Sequence, residues 1–201
     1  MAELSVLLEQ VSEMHRHLCP RQVLGVRMGM LAGEVLGLAF PQMDKRAYAF
    51  VETDGCFADG VSVATGCTLG HRTMRLMDFG KVAVTVADTQ TGHAWRIAPH
   101  PQARRTATAR APLAQSPWHA MLQAYQDMPP EELLCWTRVA LTVDLAALIS
   151  RPGVRVHCAA CGEEILNERE VLRDDVVLCR ACAGDIYYLA SVEQPLVIPS
   201  S

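Results

Sequence analysis

Two C-x-x-C pairs, Cys158-Ala159-Ala160-Cys161 and Cys179-Arg180-Ala181-Cys182, stand 17 residues apart near the C-terminal end of the 201-residue chain. Each pair fits a tight turn whose backbone N–H groups point at the sulfurs. Two such turns can close a tetrahedron of thiolates at about 2.3 Å per Zn–S bond. The spacing predicts a structural zinc held by Cys158, Cys161, Cys179 and Cys182, with no coordination position left for a substrate. His157 stands beside the set as an outer neighbour. A second group of soft ligands is spread through the N-terminal part. His15-x-His17-x-Cys19 comes immediately before Pro20, Cys56 follows Asp54-Gly55, and Cys67 sits between Gly66 and Gly70. Cys135 stands apart from both groups and reads as core filling, since a lone cysteine behaves as a small hydrophobe.

Eight cysteines and seven histidines in a chain with 5% aromatic residues are what make metal the lead. The remaining composition is that of a globular protein, half hydrophobic and one-fifth charged. A formal charge of −4 excludes binding of nucleic acid by bulk positive charge. Met1-Ala2-Glu3-Leu4 places an acid where a secretory signal needs a basic segment. The most apolar stretch, residues 22–38, carries Arg27 and Glu34. These features predict a cytoplasmic chain without a membrane span. In that compartment cysteines serve as metal ligands, catalytic thiols or core residues more often than as disulfides.

The elements that must hold these residues follow from periodicity. Leu4, Leu7, Leu8, Val11 and Met14 recur at helical spacing over 3–14. Pro20 suits the first turn of a second helix, running to about Leu38, because its missing N–H would have no partner there. Gly25, Gly29, Gly33 and Gly37 form a stripe on that helix and predict close packing against a sheet. Cys19 and Cys56 both fall at helix N-termini, where the dipole favours an anion.

Residues 46–53 alternate as a strand, and 56–64 form a short helix. Three strand-like runs follow at about 73–78, 81–88 and 93–98. Residues 101–127 read as helical with a loose stretch at 99–112, Pro130 opens a short helix, and 138–143 reads as strand. Arg151-Pro152-Gly153 marks the boundary between a core domain, 1–150, and a ribbon with its tail, 151–201. A hairpin is expected at Asp174-Asp175. The fold class is α+β: an antiparallel or mixed sheet packed by helices, then a small zinc ribbon that needs its metal to fold.

His15-Arg16-His17-Leu18-Cys19-Pro20 followed by Gly25-Val26-Arg27-Met28-Gly29 resembles the signature of the FmdE family of formylmethanofuran dehydrogenase proteins. So do Glu52-x3-Cys56-x2-Asp59, Gly66-Cys67-Thr68-Leu69-Gly70 and Asp78-Phe79-Gly80-Lys81. These motifs cover most of residues 12–90, and a C-terminal zinc ribbon is also a family arrangement. The resemblance implies an α+β core with a metal site in a cleft near the HxHxC segment, and an association with one-carbon, formylmethanofuran-type metabolism. Arg16 and Arg21 stand where the family has glycine, and Gly60-Val61-Ser62 replaces its Ala-x-Gln after the aspartate, removing an amide that could orient a ligand.

Two readings follow. In the first, the chain is a zinc- or iron-dependent metalloenzyme or redox protein. Its core metal is held by His17, Cys19 and Cys56 or Cys67, with zinc favoured and iron or nickel compatible with mixed N/S donors. His15, Arg27, Asp59 and His71 are its candidates for acid/base or anion-binding roles. In the second, the chain is a metal carrier, redox sensor or assembly factor that docks on a protein partner. Four arginines against seven acids over 154–190 make that surface a protein contact rather than a nucleic-acid one. A homodimer, with exchanged ribbons, is expected in either case.

Overall fold

The computed structural model describes residues 2–149 and 153–189, which group into two compact units dividing between Leu145 and Ala146. Arg151 and Pro152 of the expected boundary, and the tail from 190, lie outside the described residues.

The first unit opens with α1 (Leu4–His15), which buries Leu7, Leu8 and Val11, and α2 (Pro20–Leu36). Cys19 is the N-cap of α2, Pro20 its first residue, and Gly37 closes it in the left-handed conformation at φ 66°. After β1 (Ala47–Val51) comes α3 (Cys56–Thr65), entered through Gly55 at φ 73° and left through Gly66 at φ 79°. Strands β2 (Met74–Leu76), β3 (Val84–Asp88) and β4 (Ala94–Pro99) follow. Helices α4 (Ala103–Arg110), α5 (Pro117–Asp127) and α6 (Pro130–Leu133) then lead into β5 (Leu134–Val139). The five strands form one mixed sheet in the order β2-β1-β3-β4-β5, parallel only between β1 and β2. Ala47, Ala49, Val51, Val84, Val86 and Ile97 pack from the sheet into a common core with Leu7, Val11, Val23, Met28 and Phe57 of the helices.

The first two glycines of the α2 stripe, Gly25 and Gly29, lie against α3 rather than against the sheet, while Gly33 meets Leu38 and Phe40 and Gly37 is the C-cap. A Cβ on Gly25 would stand 2.3 Å from the Phe57 carbonyl oxygen, and one on Gly60 would stand 2.4 Å from that of Gln22. Gly29 likewise abuts Ala64. The small residues of α3 complete a backbone-to-backbone helix crossing that a side chain on either partner would pry apart. This crossing brings Cys19, which caps α2, near Cys56, the first residue of α3.

Two further expectations are corrected. The last strand runs from 134 to 139 rather than 138–143, because its pairing with β4 sets Leu134 opposite Pro99 and Val139 opposite Ala94. Cys135 is exposed, not core filling: β5 is the edge of the sheet, and residues 135–138 face solvent.

In the second unit, which α7 (Leu145–Ile149) enters, β6 (Arg155–His157) pairs with β7 (Glu164–Leu166), and β8 (Val171–Arg173) with β9 (Val176–Leu178). Asp174 and Asp175 both have positive φ, 48° and 63°, as a two-residue hairpin turn requires. Three-residue strands bury little, so the cysteines must supply the cohesion.

Candidate metal centres

In the second unit the four cysteine sulfurs lie within 4.8 Å of one another. Each C-x-x-C forms a turn: Gly162 N–H donates to the Cys158 carbonyl at 2.9 Å, and Ala183 N–H to the Cys179 carbonyl at 2.9 Å. Cys182 N–H points at the Cys179 sulfur, 3.3 Å away. Backbone N–H groups of Cys161 and Cys179 pull the Cys158 thiol down to about 6, whereas the thiols of Cys179, Cys161 and Cys158 push Cys182 up to about 12. Four adjacent sulfurs cannot all ionise without a cation among them. A tetrahedral zinc with 2.3 Å bonds needs sulfur–sulfur edges of about 3.8 Å, and Cys161 and Cys179 are 3.9 Å apart. The donors and their spacing fit one zinc ion.

In the first unit the HxHxC segment is held by Gln22, which is fully buried. Its Oε1 accepts from Cys19 N–H at 2.7 Å, and its Nε2 donates to the Val11 carbonyl at 3.1 Å. This one amide ties the last part of α1 to the first residue before α2. His15 Nε2 lies 2.6 Å from Asp59 Oδ2. A carboxylate oxygen accepts, so Nε2 carries the hydrogen and the lone pair of a neutral ring is on Nδ1. His17 Nδ1 lies 2.9 Å from the His15 carbonyl. A carbonyl only accepts, so His17 keeps its lone pair on Nε2.

Cys19 and Cys56 line one cavity of about 780 Å³. Burial pushes the Cys56 thiol up, and the neighbouring Cys19 thiol and Asp59 push it further. That direction is the opposite of what a helix N-terminus alone predicts. Cys67 is buried and turned into the core, its thiol donating to the Ala47 carbonyl at 3.5 Å, and burial raises its pKa. His71 is exposed, in a turn where its backbone N–H donates to Thr68 Oγ1. Arg27 donates to the carbonyls of Tyr125, Gln126 and Met128 at 2.7–2.8 Å and so closes the C-terminus of α5. It is not among the residues lining the Cys19–Cys56 cavity. Among the described residues, only the four ribbon cysteines bring three or more His, Cys, Asp or Glu donors close enough to share one metal ion.

The far wall of the cavity carries no motif. Pro99, His100, Ala103 and Arg104 come from the β4–α4 junction, and Trp118, Met121 and Tyr125 from α5. The stretch expected to be loose forms α4, and α5 follows it. Ser116 starts α5, accepting from His119 N–H at 3.4 Å. Arg21 and Lys81 complete the charged lining.

Comparison with known proteins agrees with this division. The family model described as FmdE, Molybdenum formylmethanofuran dehydrogenase operon, matches residues 14–135, and the prokaryotic dksA/traR C4-type zinc finger matches residues 153–188. A "Probable S-adenosyl-L-methionine-binding protein" of Archaeoglobus fulgidus is 43% identical over 88 residues, which cover 42% of this chain and 24% of that protein. The chain thus spans about a quarter of the length of that relative. The crystal structure of a tungsten formylmethanofuran dehydrogenase FmdE-like protein from Syntrophus aciditrophicus superposes with a TM-score of 0.61. It shares 22% identity and covers 94% of this chain and 96% of that one, which is a likeness of fold. With a family model matching more than half its length, the chain belongs to the FmdE family and carries a C4-type zinc finger at its C-terminal end.

Proposed function

We propose that the core domain holds a second, functional metal through Cys19, Cys56 and His17, and that the protein is a metalloenzyme or redox protein of one-carbon, formylmethanofuran-type metabolism. The observation that carries this reading is the meeting of Cys19 and Cys56 at the wall of one cavity, brought about by the α2–α3 crossing. The Cys56 thiol, held protonated by burial and by the Cys19 thiol beside it, must give up its proton to bind a cation, so metal uptake there would rise with pH. His17 is the third ligand of this reading. It does not stand close enough to share an ion with both thiols as they lie. Its Nδ1–H is anchored on a backbone carbonyl, the usual way a metal-bound imidazole is oriented, which leaves Nε2 for an arriving metal. Zinc there, or iron or nickel, would polarise a carbonyl or acidify a bound water. The His15–Asp59 pair supplies the proton acceptor: the carboxylate fixes the ring, and Nδ1 takes the proton.

S-adenosylmethionine is not carried over from the Archaeoglobus relative. Three-quarters of that protein lies outside the match, and a sulfonium is poorly matched to a cavity whose charged lining is basic.

A non-enzymatic metal carrier or assembly factor is the second reading. It is favoured by the absence, among the described residues, of a third donor close enough to share a cation with both thiols. A site completed only when metal arrives can also release it. In both readings a protein partner or a second copy of the chain is retained. The feature that suits self-association is the exposed edge strand β5. No helix among the described residues is long and apolar enough to cross a membrane.

Metal analysis of anaerobically purified protein tests the reading. Wild type is expected to carry two metals per chain and Cys19→Ser one, with the fold and the ribbon zinc retained. Unchanged stoichiometry in the variant sinks the core site. Loss of the core metal to a modest chelator in wild type favours the carrier.

A further inference from the structure

The cavity beside Cys19 and Cys56 has a lining that neither the metal nor the family motifs account for. In a chain of net charge −4, its charged lining is entirely basic: Arg21, Lys81 and Arg104, joined by His100. Among the described residues none of these three cations has a carboxylate within ion-pairing distance. His100 Nδ1 accepts from Gln102 N–H at 3.1 Å, which leaves its Nε2 as a donor. Two helix N-termini, those of α2 and α3, end on the same space through Pro20 and Cys56 and add their positive dipole ends. Leu24, Trp118 and Met121 add an apolar, partly aromatic surface to the same lining, and Trp118 remains 40% exposed. At about 780 Å³ the space is that of a drug-sized ligand.

We propose that this cavity binds a small organic anion, a phosphate ester or carboxylate attached to a planar ring. The anion sits among Arg21, Lys81 and Arg104, and the ring lies on Trp118. Uncompensated cations in a concave site raise the local concentration of anions and hold them by charge-assisted hydrogen bonds. A partly exposed indole in the same lining, already set edge-on to the His119 ring at 5.0 Å, favours a planar body over an aliphatic one. This deepens the reading above by naming the class of molecule presented to the thiol pair, yet it requires no metal, so the two can fail separately.

The full chain titrated at low ionic strength with phenyl phosphate, benzoate, inorganic phosphate and benzyl alcohol, followed by calorimetry, tests the inference. Phenyl phosphate or benzoate is expected to bind at least about tenfold more tightly than benzyl alcohol, and the tighter of the two names the anion. Arg21 and Arg104 are both exposed, so a double Arg21→Gln, Arg104→Gln variant keeps the fold. It should weaken the ring-bearing anions at least about tenfold, the scale of a lost charge-assisted bond. Trp118→Ala should weaken phenyl phosphate and benzoate while leaving inorganic phosphate unchanged. Equal binding of benzyl alcohol, or full affinity in the double arginine variant, overturns the proposal. Cys19→Ser titrated in parallel separates the two claims: it is expected to lose core metal and still bind the anion.

Discussion

Replacing Gln22 by leucine removes the one buried amide that fixes the HxHxC segment while keeping roughly the same side-chain volume. The two bonds it breaks are unequal. Cys19 N–H loses its 2.7 Å acceptor and, being buried, is left without a partner, a cost of about 1–3 kcal/mol. The Val11 carbonyl lies one turn inside α1 and has a helical donor, so the loss of the 3.1 Å bond from Gln22 costs only about 1 kcal/mol net. The added apolar surface returns part of this, and the expected destabilisation is about 2–3 kcal/mol by urea unfolding at pH 7. Gln22→Glu is the sharper companion. One carboxylate oxygen still accepts from Cys19 N–H, but the other faces a carbonyl oxygen and must be protonated to donate. Burial raises the carboxyl pKa in the folded state, so the penalty grows as pH rises above the unfolded value of about 4.3. The variant is therefore expected to gain stability relative to wild type between pH 7 and pH 5. A leucine variant within about 0.5 kcal/mol of wild type, or a glutamate variant whose deficit is flat over that range, would refute the reasoning.

Gly60→Ala should cost about 3 kcal/mol or more, because its new methyl would lie 2.4 Å from the Gln22 carbonyl oxygen and neither backbone can yield cheaply; a thermal midpoint unchanged from wild type would show that the helices separate freely. Asp88 is buried, which opposes its ionisation. Its bonds from Arg46, Gln90 N–H and Thr91 nevertheless hold the carboxyl below the usual range. A carboxyl lowered in the folded state stabilises above its unfolded pKa and loses that effect as pH falls through the folded one. The stability gap between wild type and Asp88→Asn should therefore close below about pH 4, and a gap constant down to pH 3 would contradict the assignment.

The helices α1, α2 and α3 and the ribbon cysteines are legible in the sequence because each rests on a local rule: a period, a cap or a spacing. The partner of the glycine stripe is not, since periodicity shows which face of a helix is small but not what approaches it. Cys135 escapes for a related reason, as burial in an edge strand depends on the sheet order and not on the strand. Gln22 does carry a signal: with Cys19 at the cap and Gln22 three residues on, the segment has the spacing of a capping box with a thiol in place of the hydroxyl. The basic and aromatic wall of the cavity has no such signal. Its residues sit some 43 to 69 positions beyond Cys56, and nothing local says that the path from β4 to α5 brings them back to it.

The two groups of cysteines differ in what a metal would be needed for. In the ribbon, three-residue strands and exposed loops bury little, and four sulfurs within 4.8 Å repel one another once ionised, so the fold and the zinc stand or fall together. In the core, Cys19 and Cys56 are brought together by a helix crossing at backbone contact, backed by a five-stranded sheet and a continuous apolar core. That arrangement persists whether or not a cation joins the thiols. A metal held there, as proposed above, would not be needed to form the fold and would add to its stability only by mass action. For that reason Cys19→Ser tests the proposed core metal with the fold kept, whereas a substitution at Cys158 confounds metal binding with folding.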